Sequence, residues 1–426
     1  MKVTWMRSAI YASLVVLAGA ACSLGATNKV LVIGVDGAGG QYITQADTPA
    51  MDALASLGGV RYDFLNEGAL VDNPPAPYGA SGVNWSTILT GVSATHHGVS
   101  DNSFAGSDFE SYPHFFQHAK QADASLYTAS LVNWTPINTF ISPDAYADLE
   151  FGYDSGPIDH QDIAVRNDAV ALIQNGDPDA VFLHFDQVDS AGHSHSWGSE
   201  AHLAAIEVVD GLIGDVMATV SARPGVVNGE EDWLVIVTAD HGAAPGSFAH
   251  TADQGLPNWE VPFIVSGPSV ADGVSLGQGT LRDVAATALW HLGVDPFEAG
   301  LDGTVRGLEV PPPNGVLGDV NQDGVVAGDG AGPAATDDVT AFLDNWLVRG
   351  GGGVADRYSR GDLNFDGLTD LSDWAVLNRL DPAMGAAVAH GLAGVGVPEH
   401  AAATLLLLLA AASPRRARFQ LTQDWT

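Results

Sequence analysis

The sequence predicts an α/β fold, in which helices flank a largely parallel central sheet, followed by a small helical module with two Asp-rich loops. Three observations support this prediction. Apolar runs alternate with helical patterns between residues 27 and 305, acidic residues recur where the runs end, and an Asp-rich loop repeats beyond a Pro-rich segment. Alternating strands and helices favour a parallel sheet, because the crossover helices cover its faces.

Residues 1–26 have the pattern of a secretory signal peptide. Lys2 and Arg7 precede an apolar run that ends in small residues. Cleavage near its end would remove Cys22, the only cysteine, so disulfide bonds cannot stabilise the mature chain. Lipid modification of Cys22 is an alternative, although the Leu expected three residues before it is missing. The segment predicts export, to the cell envelope or surface or to the extracellular medium.

Four strand-like runs follow. They read KVLVIGVD (29–36), AVFLHFD (180–186), WLVIVTAD (233–240) and VPFIVSG (261–267). Apolar runs without polar alternation are typical of strands buried on both faces. Helical patterns at 160–176, 199–220 and 281–293 separate or follow them, and Gly293 ends the last pattern.

The chain is strongly acidic, with 51 acidic and 16 basic residues, and a formal net charge of −35. Because Lys and Arg supply the contacts to nucleic-acid phosphates, we expect no nucleic-acid binding surface. A protein with this surface that acts on a phosphate ester needs bound cations to supply positive charge. The alternative explanation is solubility or adaptation to salt.

Side chains that bind metals stand where the strand runs end. Any one of them alone is typical of a helix cap or a turn, but the carboxyl ends of parallel strands meet at one edge of a sheet. The set holds three carboxylates and three imidazoles: Asp36, Asp189, His193, Asp240, His241 and His250. Mixed oxygen and nitrogen ligands suit zinc first and manganese second, and six are enough for two metals.

A stretch rich in hydroxyl groups, YGASGVNWSTILTGVSATHHGV (78–99), offers candidate nucleophiles at Ser81, Ser86, Thr87 and Thr90. No His or Lys lies close before them to act as a base. A directly bound divalent cation lowers the pKa of a hydroxyl, so a nearby base is not required. The stretch alone leaves the choice among the four open.

Taken in order, the motifs VIGVDG, SGVNWSTILTGVSATHHGV, DSAGH, TADHG and H…VPFIVSGP resemble the alkaline phosphatase superfamily. Within it, the type I phosphodiesterase and nucleotide pyrophosphatase branch is the most similar, and the resemblance covers roughly residues 29–295. It implies a domain over residues 27–305 that hydrolyses a small phosphate ester. The sulfatase pattern C/S-x-P-x-R is absent, because Gly, Val, Asn and Trp follow Ser81.

The resemblance also implies roles for single residues. One metal would be held by Asp189, His193 and His250, and the other by Asp36, Ser81, Asp240 and His241. Ser81 would be the nucleophile and form a phosphoseryl intermediate, while Asn84 and the backbone amide of Ser81 or Gly82 would bind phosphoryl oxygens. The branch usually has Thr where this chain has Ser81, so the preference between diesters and monoesters stays open.

Residues 306–316 form a Pro-rich linker to a module predicted over 317–382. Its second loop, DLNFDGLTDLSD, has oxygen-bearing side chains where a calcium loop needs them. These are Asp362, Asn364, Asp366, Asp370 and Asp373, and the first loop offers Asp319, Asn321 and Asp323 and, after an insertion, Asp338. The pair of loops resembles a dockerin type I repeat, which implies bound calcium and a cohesin-like partner.

Residues 396–418 hold a short apolar run followed by Arg415, Arg416 and Arg418. The segment resembles a PEP-CTERM sorting signal, which implies transient anchoring in the membrane; a simple tail anchor or a disordered terminus is the alternative.

The function that all these features predict is an exported, metal-dependent hydrolase of the phosphodiesterase type. Two alternatives remain: an alkaline phosphomonoesterase, and a cell-surface assembly protein in which the dockerin-like module is the main functional part.

Overall fold

The computed structural model describes residues 26–71, 74–142, 146–270, 276–349 and 352–394. The predicted sorting segment (396–418) lies outside these ranges, as does the predicted signal peptide except for its last residue. No helix within the described ranges is long and apolar enough to cross a membrane.

Seven strands form one sheet. They are β1 (Thr27–Val35), β2 (Gly59–Leu65), β3 (Thr128–Val132), β4 (Leu149–Gly152), β5 (Ala180–Phe185), β6 (Glu231–Thr238) and β7 (Glu260–Ser266). Their order is β2-β7-β6-β1-β5-β3-β4; β7 runs antiparallel to β2 and β6, and the other described strand pairs are parallel. The prediction of a largely parallel sheet is therefore confirmed, and the four predicted runs form β1, β5, β6 and β7.

Eleven α-helices lie between the strands or directly after the last one. They are α1 (Gly40–Ile43), α2 (Pro49–Leu57), α3 (Ser81–Thr90), α4 (Ala94–His97), α5 (Phe115–Ala122), α6 (Ile158–Asn175), α7 (Gln187–His195), α8 (Glu200–Ser221), α9 (Pro224–Asn228), α10 (Leu256–Trp259) and α11 (Asp283–His291). Helices α2, α6, α7 and α8 pack together, whereas α3 and α5 pack on α11. Helix α6 contacts β3 and β5, and α11 contacts β1 and β6, so both groups cover the sheet.

A glycine in the central strand β1 brings helix α3 close to the sheet. A Cβ on Gly34 would lie 2.3 Å from the Trp85 ring, so any larger residue would push this helix away. The indole Nε1 of Trp85 then donates to Asp36 Oδ2 at 2.9 Å. Close packing of α3 on β1 therefore sets the distance between the start of α3 and the end of the strand.

The C-terminal module has its own helices and core. Its helices are α12 (Asp338–Asp344), α13 (Val354–Ser359), α14 (Leu371–Leu380) and α15 (Pro382–Gly394). Phe342, Tyr358 and Trp374 are buried in this core together with Phe297, which precedes the linker. Helix α15 continues beyond residue 382, where we placed the end of the module.

Candidate metal centre and nucleophile

The predicted metal ligands converge at the carboxyl ends of three adjacent strands. Strands β6, β1 and β5 are neighbours and run parallel. Asp36 follows β1, Asp240 and His241 follow β6, and Asp189 lies on α7, directly after β5. A Cβ on Gly37 would lie 2.8 Å from the Asp189 backbone, so this glycine lets α7 approach the loop after β1.

His241 lies at the centre of the group. Its Nε2 is 3.4 Å from Asp36 Oδ1, 3.3 Å from Asp240 Oδ2 and 3.8 Å from Asp189 Oδ1. His250 Nε2 is 3.8 Å from the same Asp189 oxygen, and its ring stacks on His241 with centroids 3.6 Å apart. Two overlapping groups could each hold an ion: Asp36 with Asp240 and His241, and Asp189 with His241 and His250.

His193, the sixth predicted ligand, lies at the outer edge. Its Nε2 is 3.4 Å from Asp189 Oδ2, one helical turn away on α7, and its ring centroid is 5.1 Å from that of His250. The structure thus brings all six predicted ligands together. We name this set the metal-ligand cluster.

Three carboxylate oxygens of the cluster have no hydrogen-bond partner although they are buried: Asp36 Oδ1, Asp189 Oδ1 and Asp240 Oδ2. A buried, unpaired carboxylate oxygen is costly unless a cation compensates it. These oxygens lie 3.3 to 3.8 Å from the Nε2 atoms of His241 and His250. The cluster therefore fits divalent metals, and its mixed donor set suits zinc or manganese.

The imidazoles are oriented for ligation by main-chain carbonyls. The Nδ1 atom of His193 lies 2.8 Å from Phe248 O, that of His250 lies 2.9 Å from Gly79 O, and that of His241 lies 3.2 Å from Gly242 O. Because a carbonyl only accepts, each Nδ1 carries the proton. The lone pair of each Nε2 is then directed at the cluster.

Burial shifts the pKa values of the cluster. It raises the pKa of Asp189 and of Asp240 well above the usual range, and the charge of Asp36 adds to both shifts. Burial also lowers the pKa of His241 well below its usual value, and the neighbouring His250 adds to this. The shifts have one cause: the side chains are crowded and desolvated, so bare charges are unfavourable there.

Asp36 behaves differently because neighbouring donors stabilise its charge. Although burial raises its pKa, the hydrogen bonds from His184 and Trp85 hold the pKa well below the usual range. His184 Nδ1 accepts from Trp134 N, so its Nε2 donates to Asp36 Oδ2 at 3.1 Å. His184 lies in strand β5 and is fully buried, and this hydrogen bond orients the predicted metal ligand Asp36.

Of the four candidate hydroxyls, only Ser81 faces the cluster. Its Oγ lies 3.3 Å from His241 Nε2, at the first residue of α3. The Ser86 and Thr90 hydroxyls donate to helix carbonyls one turn earlier, and Thr87 Oγ1 contacts Val83 O and a histidine ring. The start of a helix also favours negative charge on an oxygen or a bound phosphoryl group.

Asn84 is not brought to the cluster. Its side chain is fully buried; it accepts from Glu67 N at 3.2 Å and donates to Tyr78 O and Ala80 O. The amide therefore joins α3 to the loop before it, and its donors are used there.

Asn102 is the polar residue beside Ser81 that the sequence did not reveal. Its side chain is exposed, and its Oδ1 accepts from Gly82 N at 2.8 Å. The predicted substrate-binding amide of Gly82 is thus bonded to Asn102, whose side-chain N–H₂ group has no hydrogen-bond partner among the described residues. Asn102 lies in a surface loop, and no local pattern distinguishes it from other turn residues.

The second Asp-rich loop gathers a further cluster of carboxylates. Asp362, Asp366 and Asp373 lie close enough to share one ion, and the buried Asp362 Oδ1 has no hydrogen-bond partner. Burial raises the pKa of Asp362 to about 6 and that of Asp373 to about 7. Asn364 donates to Asp366, and Asp370 caps α14 by accepting from Ser372 N.

The first loop has the same hydrogen-bond pattern in spite of its insertion. Gly324 N donates to Asp319 as Gly367 N does to Asp362, and Asn321 N donates to Asp338 as Asn364 N does to Asp373. The inserted residues are held by Asp337, which accepts from Asp329, Gly330 and Gly332 N. Among the described residues, Asp319, Asp323 and Asp338 do not approach each other closely enough to form such a cluster.

Comparison with known proteins adds three kinds of match. The family model for type I phosphodiesterase / nucleotide pyrophosphatase matches residues 30–260, more than half of the chain. A 2,3-bisphosphoglycerate-independent phosphoglycerate mutase of Haloarcula marismortui is 33% identical over 140 residues, 31% of this chain and 24% of that protein. A phosphopentomutase of Pectobacterium atrosepticum is 30% identical over 125 residues, 29% of this chain and 27% of that protein. The matched part thus spans about a quarter of each relative.

Two solved structures illustrate the third kind of match. Murine ectonucleotide pyrophosphatase / phosphodiesterase 5 aligns with a TM-score of 0.48 at 14% identity, over 63% of this chain and 95% of that chain. A 2-O GAG sulfatase aligns with the same TM-score and identity, over 63% of this chain and 71% of that chain.

Proposed function

Because the chain belongs to the type I phosphodiesterase / nucleotide pyrophosphatase family, we propose that it hydrolyses phosphoric esters at a two-metal centre with Ser81 as the nucleophile. One observation carries the proposal. Three buried, unpaired carboxylate oxygens and three directed imidazole nitrogens surround a position next to Ser81 Oγ. When bound, divalent metals there would lower the pKa of the Ser81 hydroxyl and neutralise charge on the phosphoryl group.

The chain's own residues have distinct tasks in this reaction. Ser81 Oγ attacks phosphorus, the bond to the leaving oxygen breaks, and that oxygen leaves as an alcohol after gaining a proton. Water then cleaves the phosphoseryl ester and regenerates Ser81. The N-terminus of α3 favours the developing negative charge, and in this proposal the side-chain N–H₂ group of Asn102, which is held beside α3 by the bond to Gly82 N, donates to a phosphoryl oxygen.

A neutral donor beside the nucleophile favours diesters as substrates. A diester carries one negative charge, whereas a monoester carries close to two at neutral pH. Among the described residues, no Lys or Arg forms an ion pair with a carboxylate of the metal-ligand cluster. The backbone N–H of Gly82 donates to Asn102 Oδ1 at 2.8 Å, so a neutral amide lies beside the residue that follows Ser81. Monoester hydrolysis is the second candidate, supported by the serine nucleophile.

We further propose that the protein is exported, which the pattern of residues 1–26 supports. The second Asp-rich loop binds calcium through Asp362, Asp366 and Asp373 in this proposal, and the unpaired Asp362 oxygen supports it. A cohesin-like partner for the module and sorting through residues 396–418 rest on the sequence resemblances alone. Zinc is the proposed metal at the catalytic centre, with manganese as the alternative.

The decisive experiment compares two substrates and two variants. The purified chain, loaded with zinc or manganese, is assayed on bis(nitrophenyl) phosphate and on nitrophenyl phosphate; faster turnover of the diester is expected. Ser81→Ala should lower turnover by at least about a thousandfold, because it removes the nucleophile. Elemental analysis should show that this variant keeps its metals.

Ser86→Ala is the matched control, because it removes a different hydroxyl from the same helix. Among the described residues, the Ser86 hydroxyl bonds to Gly82 O alone. It should retain activity close to that of the unaltered chain. No turnover of either ester by metal-loaded protein would rule out the enzyme. An active Ser81→Ala variant would show that another group attacks phosphorus.

A further inference from the structure

A cavity of about 500 Å³ lies between the sheet domain and the C-terminal module. The domain contributes Glu67, His96 and Arg282 to its walls, and the module contributes Arg349, Arg357 and Asp366. No member of the metal-ligand cluster lines this cavity, so it is a separate place in the molecule. We name it the inter-domain cavity.

Two basic side chains from the domain, Arg282 and His96, are paired on one side only. Arg282 donates through Nε and Nη2 to both oxygens of Glu67, at 2.7 and 3.0 Å, and its Nη1 has no hydrogen-bond partner among the described residues. His96 Nδ1 lies 2.8 Å from Asp302 Oδ2, and its Nε2 makes no hydrogen bond within the described chain. The Arg282–Glu67 pair is close to neutral, and Arg282 and His96 each leave one nitrogen available.

Arg357 is nearly buried; its Nε donates to Gly352 O at 3.4 Å, and its counter-charge, Asp362, makes no hydrogen bond with it. Its residue is 6% exposed, and its guanidinium lies over the Phe297 ring at 3.9 Å from the centroid. The nearest carboxylate oxygen, Asp362 Oδ2, is 3.8 Å away, beyond hydrogen-bond distance. Burial lowers the pKa of Arg357, which reflects the cost of desolvating its charge. A buried guanidinium of this kind is stabilised by an anion that accepts its free N–H groups.

Arg349 completes the array. Its side chain is exposed, and it forms no ion pair or side-chain hydrogen bond with any described residue. Three of the 16 basic residues of a chain with net charge −35 therefore meet at one cavity. A volume of about 500 Å³ is within the range of small-ligand sites.

We propose that the inter-domain cavity binds a phosphate-type oxyanion, held by the free guanidinium nitrogens of Arg282, Arg349 and Arg357. The planar guanidinium group pairs with phosphate oxygens in a bidentate manner, which an ammonium group cannot do. Inorganic phosphate and the phosphate group of an ester share this chemistry. Because the site takes residues from both the domain and the module, the bound anion would connect them.

Calcium should strengthen the binding. Asp366 lines the cavity and belongs to the second Asp-rich loop, so its charge opposes an incoming anion. An ion in that loop would neutralise this charge and keep Asp362 away from Arg357. This step rests on the calcium proposal; the anion site itself does not depend on catalytic activity.

The test is calorimetric titration of the full chain with inorganic phosphate in the presence of calcium. Arg349→Glu should weaken binding at this site by at least about tenfold, because it replaces an exposed cation with an anion. Arg379→Glu is the matched control: it lies exposed in the same module, makes the same change in net charge and does not line the cavity. Its phosphate affinity should equal that of the unaltered chain.

Phosphate can also bind at the catalytic centre as a product. A kinetic measurement distinguishes binding there from binding in the inter-domain cavity. Competitive inhibition of ester turnover by phosphate reports the catalytic centre and should be the same in Arg349→Glu. Arg357→Lys, which keeps the charge but loses the planar fork, should weaken the calorimetric binding without changing that inhibition. Equal affinity and stoichiometry in the unaltered chain, Arg349→Glu and Arg357→Lys would overturn the proposal, whether or not the protein hydrolyses any ester.

Discussion

Hydrogen bonds around the metal-ligand cluster orient its members before any ion is bound. Three imidazoles donate Nδ1–H to main-chain carbonyls, and Asp36 Oδ2 accepts from Trp85 and His184. The other oxygen of Asp36 is left unpaired and faces His241. Such outer hydrogen bonds lower the cost of ordering the ligands when the metal arrives.

Trp85→Phe tests this arrangement at a single hydrogen bond. The change removes the indole N–H donor to Asp36 while an aromatic ring remains against Gly34. We expect metal affinity, measured by titration of the metal-free protein, to fall about ten- to a hundredfold. Trp374→Phe is the control, because it removes a buried indole hydrogen bond to Gly385 O inside the C-terminal module. An equal loss of metal affinity in both variants would contradict the role given to Trp85.

Which site residues the sequence could reveal depends on whether they stand at strand ends. Asp36, Asp240 and His241 directly follow continuous apolar runs, so their convergence followed from the rule for parallel sheets. Asn102 lies in an exposed loop, and only the hydrogen bond to Gly82 places it beside Ser81. Asn84 has suitable spacing in the chain, but its side chain turns toward Glu67 N and the carbonyls of residues 78 and 80.

The strands at the centre of the sheet could be predicted from the sequence. Strands β1, β5 and β6 are buried along nearly their whole length, and β7 almost equally so. The strands that we did not predict lie toward the edges of the sheet. Strand β2 is only partly buried and β4 has four residues, whereas β3 is fully buried but contains Thr128 and Ser130, so none of the three forms a continuous apolar run. Short, half-exposed strands have a weak pattern of apolar residues in the sequence, because they pack against the protein on one face alone.

The second Asp-rich loop is tied to the sheet domain by an aromatic contact. Phe365 has a φ of 60°, a left-handed backbone that costs a bulky residue about 1–2 kcal/mol. Its ring is buried in the module's core, with its centroid 6.1 Å from that of Phe297 and 6.0 Å from that of Tyr358. In the first loop, Gln322 has the same φ, and its side chain instead bonds to Ala355 O. When the second loop is ordered, the contact of Phe365 with Phe297 between the module and the sheet domain should therefore be ordered as well.

Removal of calcium should loosen the module selectively. Without an ion, the carboxylates of Asp362, Asp366 and Asp373 repel each other. The second Asp-rich loop and helix α14 should then open more often. We expect trypsin to cleave after Arg360 and Arg379 several times faster in calcium-free protein, as followed by mass spectrometry. Asp373→Asn should make cleavage fast even with calcium.

Asp381→Asn is the matched control for that variant, since Asp381 caps helix α15 and lies outside both loops. Its cleavage should still slow when calcium is added. Equal cleavage rates with and without calcium in the unaltered chain would show that the second loop does not bind the ion.

The stability of the sheet domain should depend on pH through histidines that are buried in the neutral form. Burial lowers the pKa of His97 and of His114 to about 3 and that of His202 to about 4. None of the three belongs to the metal-ligand cluster. In the unfolded chain each would titrate near the ordinary value of about 6.5.

Because the pKa values of these histidines are lower in the folded protein than in the unfolded chain, their protonation favours unfolding. Above about pH 6.5 both states are neutral at these rings, so the histidines leave stability unchanged. As the pH falls below that value, the unfolded chain takes up protons that the folded protein does not. The contribution of these histidines to the free energy of unfolding should therefore decrease steadily between about pH 6.5 and 4.

His114→Asn isolates one contribution to this loss. His114 is fully buried, its Nδ1 accepts from Phe116 N at the start of α5, and its Nε2 has no hydrogen-bond partner. Asn can provide the same cap but does not titrate. We expect melting temperatures measured across this pH range to fall less steeply in the variant than in the unaltered chain. His160→Asn, at an exposed position, should leave the slope unchanged. A slope in His114→Asn equal to that of the unaltered chain would show that the protons are taken up elsewhere.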